Sequence, residues 1–422
     1  MARSPFLHPF AKPAKPGAEF LSLVGGEGAE LWDATGKRYI DGMASLWYCN
    51  AGHGQRRIID AIKAQLDSLA TYNTFDPWTN EAAEGLAARI AAVAPMAGTS
   101  ASAASGSGSD DAERGARVFF TCSGSEAVDT AMKLARLAQR LSGHPERTIV
   151  VSRRNGYHGV NYGGTTAQGI EANREGWGGL LPDVVHVDAD DLEATSVLFS
   201  RRGDEIAAVI TEPVQGAGGV NPSPPGYLAG LRRLCDDHGA FLVVDEVICA
   251  WGRLGHWFGC EHYDVRPDLI TFAKGVTSGY VPLGGVVLGP AVHEPLAADP
   301  SFVLRHGYTY SGHPTSCAAG VATLALYEED RLFERSGPIG KVLSEGLASL
   351  AADGILAGCR GEGAVWAAEL LPGTDSTAVR DRMLELGVIS RPLNDVMAFC
   401  PPLVISEAQV VRCVDALAQA LR

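Results

Sequence analysis

Phe241-Leu-Val-Val-Asp-Glu-Val247 and Asp268-Leu-Ile-Thr-Phe-Ala-Lys-Gly275 decide how this chain is read. Each contains a short apolar run that ends in or beside an ionisable side chain, Asp245 in the first and Lys274 in the second. Apolar runs of this length without polar alternation suit strands covered on both faces of a parallel sheet. The carboxyl ends of such strands open onto one crevice, so the carboxylate and the amine are expected to meet there. Neither charge is cheap to bury alone, which makes each a candidate partner for the other or for a ligand.

The pattern continues outward in both directions. Strands are expected at 118–121, 148–151, 184–187 and 207–211, with helices at 125–141 and 227–238 between them. This alternation predicts an α/β fold with helices on both faces of the sheet. Upstream, residues 30–41 read as a β-hairpin turning at Thr35-Gly36, followed by amphipathic helices at 58–69 and 80–93. Past Gly312 the chain turns helical at 315–329, then mixed, with strands expected at 364–370 and 396–400. The expected division is 1–55 as an arm and part of a small domain, 56–319 as the large domain, and 320–422 as the rest of the small domain. Residues 98–115 are mostly Ala, Ser, Gly and Asp, too poor in apolar area to offset their ordering, and read as a flexible surface insertion.

Composition limits the partners. The 422 residues carry a formal net charge of −14, which argues against a nucleic-acid partner, since phosphate backbones call for Lys/Arg stripes. Nine cysteines stand singly with no C-x-x-C pair, so no metal site and no disulfide framework is expected, and a reducing compartment is. Pro5, Pro9, Pro13 and Pro16 interrupt the first segment, and no apolar run reaches membrane-spanning length. A cytoplasmic enzyme without membrane contact is the expectation.

Thr121-Cys-Ser-Gly-Ser-Glu126 joins a strand to a long helix. Gly124 permits a tight turn, and the first helical amides, with the helix dipole and the Ser123 and Ser125 hydroxyls, make a phosphate cup. An ordinary capped helix start has the same residues. Tyr157 follows the next strand and suits stacking on a flat ring, or packing under its loop. Glu212 closes another strand. Arg391 suits a bidentate carboxylate contact, or a surface ion pair. Asp245-Glu246 also resembles the metal-binding strand end of a nucleotide hydrolase, but the chain has no G-x-x-x-x-G-K-[ST] loop. A lysine, a buried acid and a phosphate cup together suit pyridoxal phosphate, which needs a Schiff-base amine and an acid for its ring nitrogen.

Ser123-Gly-Ser-Glu-Ala-Val-Asp-Thr-Ala-Met-Lys133, Gly156-Tyr-His-Gly159, Glu212-Pro-Val-Gln-Gly-Ala-Gly218, Val244-Asp-Glu-Val247, Phe272-Ala-Lys-Gly275 and Gly307-Tyr-Thr-Tyr-Ser-Gly-His-Pro314 occur in this order. Together they resemble the class III pyridoxal-phosphate aminotransferases, and most closely the ω-aminotransferase branch with its β-alanine–pyruvate and amine–pyruvate enzymes. The resemblance implies fold type I: a large domain with a mostly parallel seven-stranded sheet, and a small α/β domain built from both chain ends. It implies transfer of an amino group from an ω-amino acid or primary amine to a keto acid such as pyruvate.

By the same resemblance Lys274 is the Schiff-base lysine and Asp245 the partner of the ring nitrogen. Tyr157 and Val247 sandwich the ring, and Glu212 belongs to the cofactor's surroundings. Ser123, Gly124 and Ser125 cup the phosphate, joined by Thr309 from the neighbouring subunit of a homodimer or dimer of dimers. Trp47, Tyr157 and Arg391 line the substrate pocket, with Arg391 swinging in for carboxylates. The sequence departs from the family where Pro392-Leu-Asn-Asp395 follows Arg391 in place of a Gly-Asp pair, and in the length of the 98–115 insertion. Arg391-Pro392 also resembles the adenosylmethionine-8-amino-7-oxononanoate aminotransferases, an alternative activity. An aminomutase, a decarboxylase or a cofactor-binding regulator without turnover would use the same Lys274, Asp245 and cup.

Overall fold

The computed structural model describes residues 4–98 and 115–422, so all but the end residues of the expected 98–115 insertion lie outside the described residues. Strands β1 (Leu23–Glu27), β2 (Glu30–Asp33) and β3 (Arg38–Asp41) form an antiparallel meander. The β2–β3 hairpin turns where Asp33 Oδ1 accepts the Thr35 amide at 2.9 Å and the Lys37 amide at 3.1 Å. An Asp side chain that bonds the backbone just ahead of it replaces the ladder for one turn.

The large sheet holds β4 (Arg117–Thr121), β5 (Ile149–Arg153), β6 (Val184–Val187) and β7 (Ile206–Thr211). After a short hairpin of β8 (Val214–Gln215) and β9 (Asn221–Pro222) come β10 (Phe241–Asp245), β11 (Leu269–Phe272) and β12 (Gly284–Leu288). The seven strands lie in the order β4-β12-β11-β10-β7-β5-β6. All run parallel except β12, which is antiparallel to both of its neighbours. Strand β10 shows why the sheet is covered on both faces. Phe241 and Val243 pack into one apolar cluster with Ala127, Ala131 and Ala135, whereas Leu242 and Val244 pack into another with Leu228 and Leu231. The first cluster seats the helix Gly124–Leu141, whose buried alanines allow close approach to the sheet. The second seats the helix Tyr227–His238, bounded by Gly226 and Gly239 at φ 79° and 69°, a conformation open to glycine at little steric cost. Strand β10 stops at Asp245, where the Val247 amide turns back onto Asp245 Oδ1 at 3.2 Å.

The remainder builds the second unit. Strands β13 (Gly358–Glu362), β14 (Val365–Glu369), β15 (Val388–Ile389), β16 (Arg391–Leu393) and β17 (Val396–Phe399) follow. Four of them make an antiparallel sheet in the order β13-β14-β17-β16, while β15 leaves to pair in parallel with β3. Asp41 thus stands opposite Ile389, and early and late segments share one sheet. The helix Pro314–Glu329 runs through residue 320 without a break, across the expected division at 319/320. It packs on the helices Arg56–Ser68 and Glu81–Val93, and Tyr327 Oη donates to the Gly275 carbonyl at 2.6 Å beside Lys274. That helix therefore belongs with the large sheet. Among the described residues no helix is long and apolar enough to cross a membrane, and no group of three or more His, Cys, Asp or Glu is placed to hold a metal ion.

Candidate active site

The carboxyl ends of β5, β7, β10 and β11 open onto one cavity, lined by Gly124, Tyr157, Glu212, Asp245, Val247 and Lys274 among others. Six of the residues singled out from the sequence are therefore brought together, and Ser123 and Ser125 flank Gly124 at its rim.

Lys274 follows β11 through Ala273 and takes the left-handed backbone conformation, φ 51°. A non-glycine residue in that region costs about 1 kcal/mol or more, a strain common where a side chain must be aimed. Burial pushes its amine below the usual lysine range, while the Asp245 and Glu212 carboxylates pull the other way. Desolvation outweighs attraction, which favours the neutral, nucleophilic amine.

Asp245 is held from two sides. Its Oδ1 accepts the Val247 amide, and its Oδ2 lies 2.8 Å from His158 Nδ1. Both side chains are almost wholly buried, and among the described residues His158 Nε2 has no hydrogen-bond partner. His158 was not singled out by the sequence reading; its signal is its place inside Gly156-Tyr-His-Gly159, at the exit of β5. Glu212 faces the same pair. Its Oε1 accepts the Tyr157 amide at 2.9 Å and its Oε2 the Gly216 amide at 3.1 Å. Burial, partly countered by His158 and reinforced by Asp245, pushes its carboxyl up to about 7. Through the first of these bonds Glu212 fixes the backbone of Tyr157.

The helix start is built as a cup. Ser123 caps it, its Oγ accepting the Glu126 amide at 3.2 Å and its carbonyl the Ala127 amide at 3.0 Å. The amides ahead of these have no helical acceptor and carry the positive end of the dipole. A Cβ on Gly124 would lie 2.9 Å from Val247 Cγ1, and one on Gly159 (φ 96°) 2.5 Å from Ser125 Oγ. Ser125 Oγ also accepts the Val160 amide at 3.1 Å. The cup is thus closed by contacts that leave no room for a methyl group.

Three expected residues stand outside this cavity. Arg391 lies on β16, partly buried, where burial lowers its pKa and Tyr157 raises it. Among the described residues no carboxylate forms an ion pair with it. Trp47 is buried in a cluster with Met43, Val214 and Ile248, the last of which lines the cavity. It ends a segment in which Ala44, Ser45 and Trp47 have φ values of 44°, 61° and 67°, and such residues cost about 1–3 kcal/mol each unless their surroundings fix them. Thr309 is exposed, away from its own chain's cavity, on a turn tied down by Tyr308 Oη on the Glu126 carbonyl at 3.2 Å and Ser311 Oγ on the Phe120 carbonyl at 2.8 Å.

The residues fit a phosphorylated pyridine aldehyde: a desolvated lysine, a buried acid backed by an imidazole, and a helix-end cup cleared by glycines. Sheet and site together define a pyridoxal-phosphate-dependent transferase of fold type I. The chain belongs to the class-III aminotransferases, whose family model matches residues 14–421. It is 35% identical to an omega-aminotransferase of Caulobacter vibrioides, over 93% of this chain and 91% of that one. It is 34% identical to a beta-alanine–pyruvate aminotransferase of Pseudomonas aeruginosa, over 94% and 91%. The solved structure of an amine transaminase from an uncultivated Pseudomonas species, in its pyridoxal-phosphate-bound form, superposes with a TM-score of 0.91 at 34% identity, covering 100% of this chain and 99% of that one. The protein is a pyridoxal-phosphate-dependent transaminase.

Proposed function

We propose that this transaminase takes the amino group of an ω-amino acid or primary amine and passes it to a keto acid such as pyruvate. Arg391 carries the proposal: a partly buried guanidinium beside Tyr157, near the cavity, without a carboxylate partner among the described residues. Such a cation suits a keto acid's carboxylate through two parallel hydrogen bonds. A donor amine without a carboxylate would then require the arginine to withdraw.

Pyridoxal phosphate, once bound, supplies an electron sink next to the carbon that loses its proton. Asp245 would hold the ring nitrogen, its charge oriented by His158. Tyr157 and Val247 would cover the ring faces, with Glu212 fixing the tyrosine's backbone. Ser123, Gly124 and Ser125 would take the phosphate, joined by Thr309 of a second copy of the chain, so that a homodimer is the smallest complete unit. Lys274, its amine pushed below the usual lysine range by desolvation, would carry the proton at Nζ away from the donor carbon and return it in the second half of the reaction. Trp47 and Arg391 would bound the substrate. All nine cysteines are free thiols, which supports a reducing, cytoplasmic setting.

A panel of amine donors against pyruvate and other keto acids tests the reading. Alanine formed from pyruvate with β-alanine, diamines or aryl-alkyl amines supports it. Activity confined to adenosylmethionine with an amino-oxononanoate acceptor, or release of carbon dioxide without a keto acid, overturns it.

A further inference from the structure

The substrate-side segment 43–47 hangs from one carboxylate that no catalytic role explains. Asp41 ends β3 and is fully buried. Its Oδ1 accepts the Met43 amide at 3.0 Å, and its Oδ2 accepts the Ser45 amide at 2.7 Å and meets His53 Nε2 at 2.8 Å. The two amides belong to the stretch whose left-handed residues deliver Trp47 into the core. Backbone in that conformation persists only where its surroundings fix it, and here the fixing group is Asp41.

A buried carboxylate in turn needs a cation or donors on its remaining lone pairs. His53 supplies one. The imidazole cannot wander, because the His53 and Gly28 backbones form a bridge, with amide-to-carbonyl distances of 2.8 and 3.0 Å, and Nδ1 sits 3.6 Å from Cys49 Sγ. Burial, the largest single influence, opposes a charge on His53, yet the hydrogen bonds and charges of Asp41 and Cys49 together outweigh it and hold the group up at about 10. The same junction reaches the other substrate-side residue. Asp41 pairs with Ile389, just before Arg391, and the Gly42 amide donates to the Ile389 carbonyl at 2.9 Å, an approach that a Cβ on Gly42 would block.

We propose that His53 is a positioning residue for donor recognition, holding Asp41 so that Asp41 fixes the 43–47 segment and with it Trp47. This rests on the reading of Trp47 as a pocket residue given above. Neither His53 nor Asp41 lines the cavity of Lys274 and Asp245, so their effect is expected in substrate binding and not in the proton transfer.

The test uses the purified holoenzyme and two donors, β-alanine and an aryl-alkyl amine, with pyruvate as acceptor. His53→Ala is expected to raise KM for the aryl-alkyl amine about 10-fold with kcat changed less than about 3-fold, the pattern of lost uniform binding. The cofactor absorbance should stay that of the wild type. His53→Gln, which keeps an N–H for Asp41, should recover most of the KM. An unchanged KM in His53→Ala, an equal loss of kcat for both donors at constant KM, or a Gln variant no better than Ala overturns the proposal. If His53→Ala yields no folded protein, Asp41→Asn decides by the same KM criterion. Trp47→Ala separates the two readings. A shift with Trp47→Ala and none with His53→Ala sinks only the positioning role, whereas no shift with Trp47→Ala sinks the pocket reading and the proposal with it.

Discussion

His158 Nδ1 lies 2.8 Å from Asp245 Oδ2, with both side chains buried at the carboxyl end of the sheet. A charge-assisted hydrogen bond in so dry a place orients the carboxylate and keeps its charge local. Asp245→Asn is expected to lower kcat about 100-fold or more, as for loss of a preorganised electrostatic partner. His158→Asn should cost less, about 10-fold in kcat/KM, because it removes the orienting bond and leaves the carboxylate. Steady-state kinetics on both variants with one donor–acceptor pair checks the order of the two losses.

Lys274→Ala is expected to lower turnover at least about 10⁴-fold, since the proposed nucleophile and proton carrier would be lost at once. Borohydride treatment followed by peptide mass mapping should label the Lys274 peptide in the wild type and nothing at that position in the variant. Label elsewhere in the wild type would show that another lysine holds the cofactor.

Gly124→Ala places a methyl group 2.9 Å from Val247 Cγ1. Cofactor affinity, read by fluorescence titration, should fall about 10-fold, with Val247→Ala in the same chain restoring part of it, as expected for contacting residues that fail to add. Two losses that simply add would mean that the glycine serves the turn and not the contact.

Glu212 gives a pH signature in the cofactor-free protein. Its folded-state pKa of about 7 lies above the ordinary carboxyl value, so the folded protein binds more protons than the unfolded chain between about 4.3 and 7. Its contribution is therefore intact below that window and is lost as pH rises through it. Glu212→Gln resembles the protonated form. It should match wild-type thermal stability at about pH 4, below the window, and exceed it at about pH 8, and a difference of the opposite sign would show that Glu212 is ionised throughout.

Arg391→Ala should raise KM for the keto acid by about 10- to 100-fold, the loss expected when a buried carboxylate loses its charged partner, while KM for a simple amine stays within about 3-fold. Equal effects on both substrates would place the arginine in the scaffold.

The large sheet and the cavity that gathers Asp245 and Lys274 were legible because their signals are local. Apolar runs closed by Asp245 and Lys274, and the Ser123-Gly-Ser-Glu126 helix start, each state their geometry within a few residues. Strand β12 was not among the expected strands: its Gly284-Gly285 start carries little strand signal, and its reversed direction comes from neighbours distant in sequence. The β3–β15 pairing was hidden for the same reason: two residues of β15 carry no pattern, and only the fold supplies their partner. Helix Pro314–Glu329 crosses the expected boundary because a change from strands to helices along the chain marks where a helix starts, not which neighbours its buried face packs against. His158 offered only its place in Gly156-Tyr-His-Gly159, because one imidazole in a loop gains meaning only when Asp245 is seen opposite it.

The parallel pairing of Ile389 with Asp41 sets the register of a late strand by an early one, with Arg391 just downstream. Chimeras between relatives would inherit this dependence. A donor preference moved by exchanging the last hundred or so residues alone would arrive with its arginine seated on a foreign edge. If Arg391 recognises substrate as proposed, exchanging residues 23–55 with them as a matched set should carry the preference intact, as two distant segments inherited together.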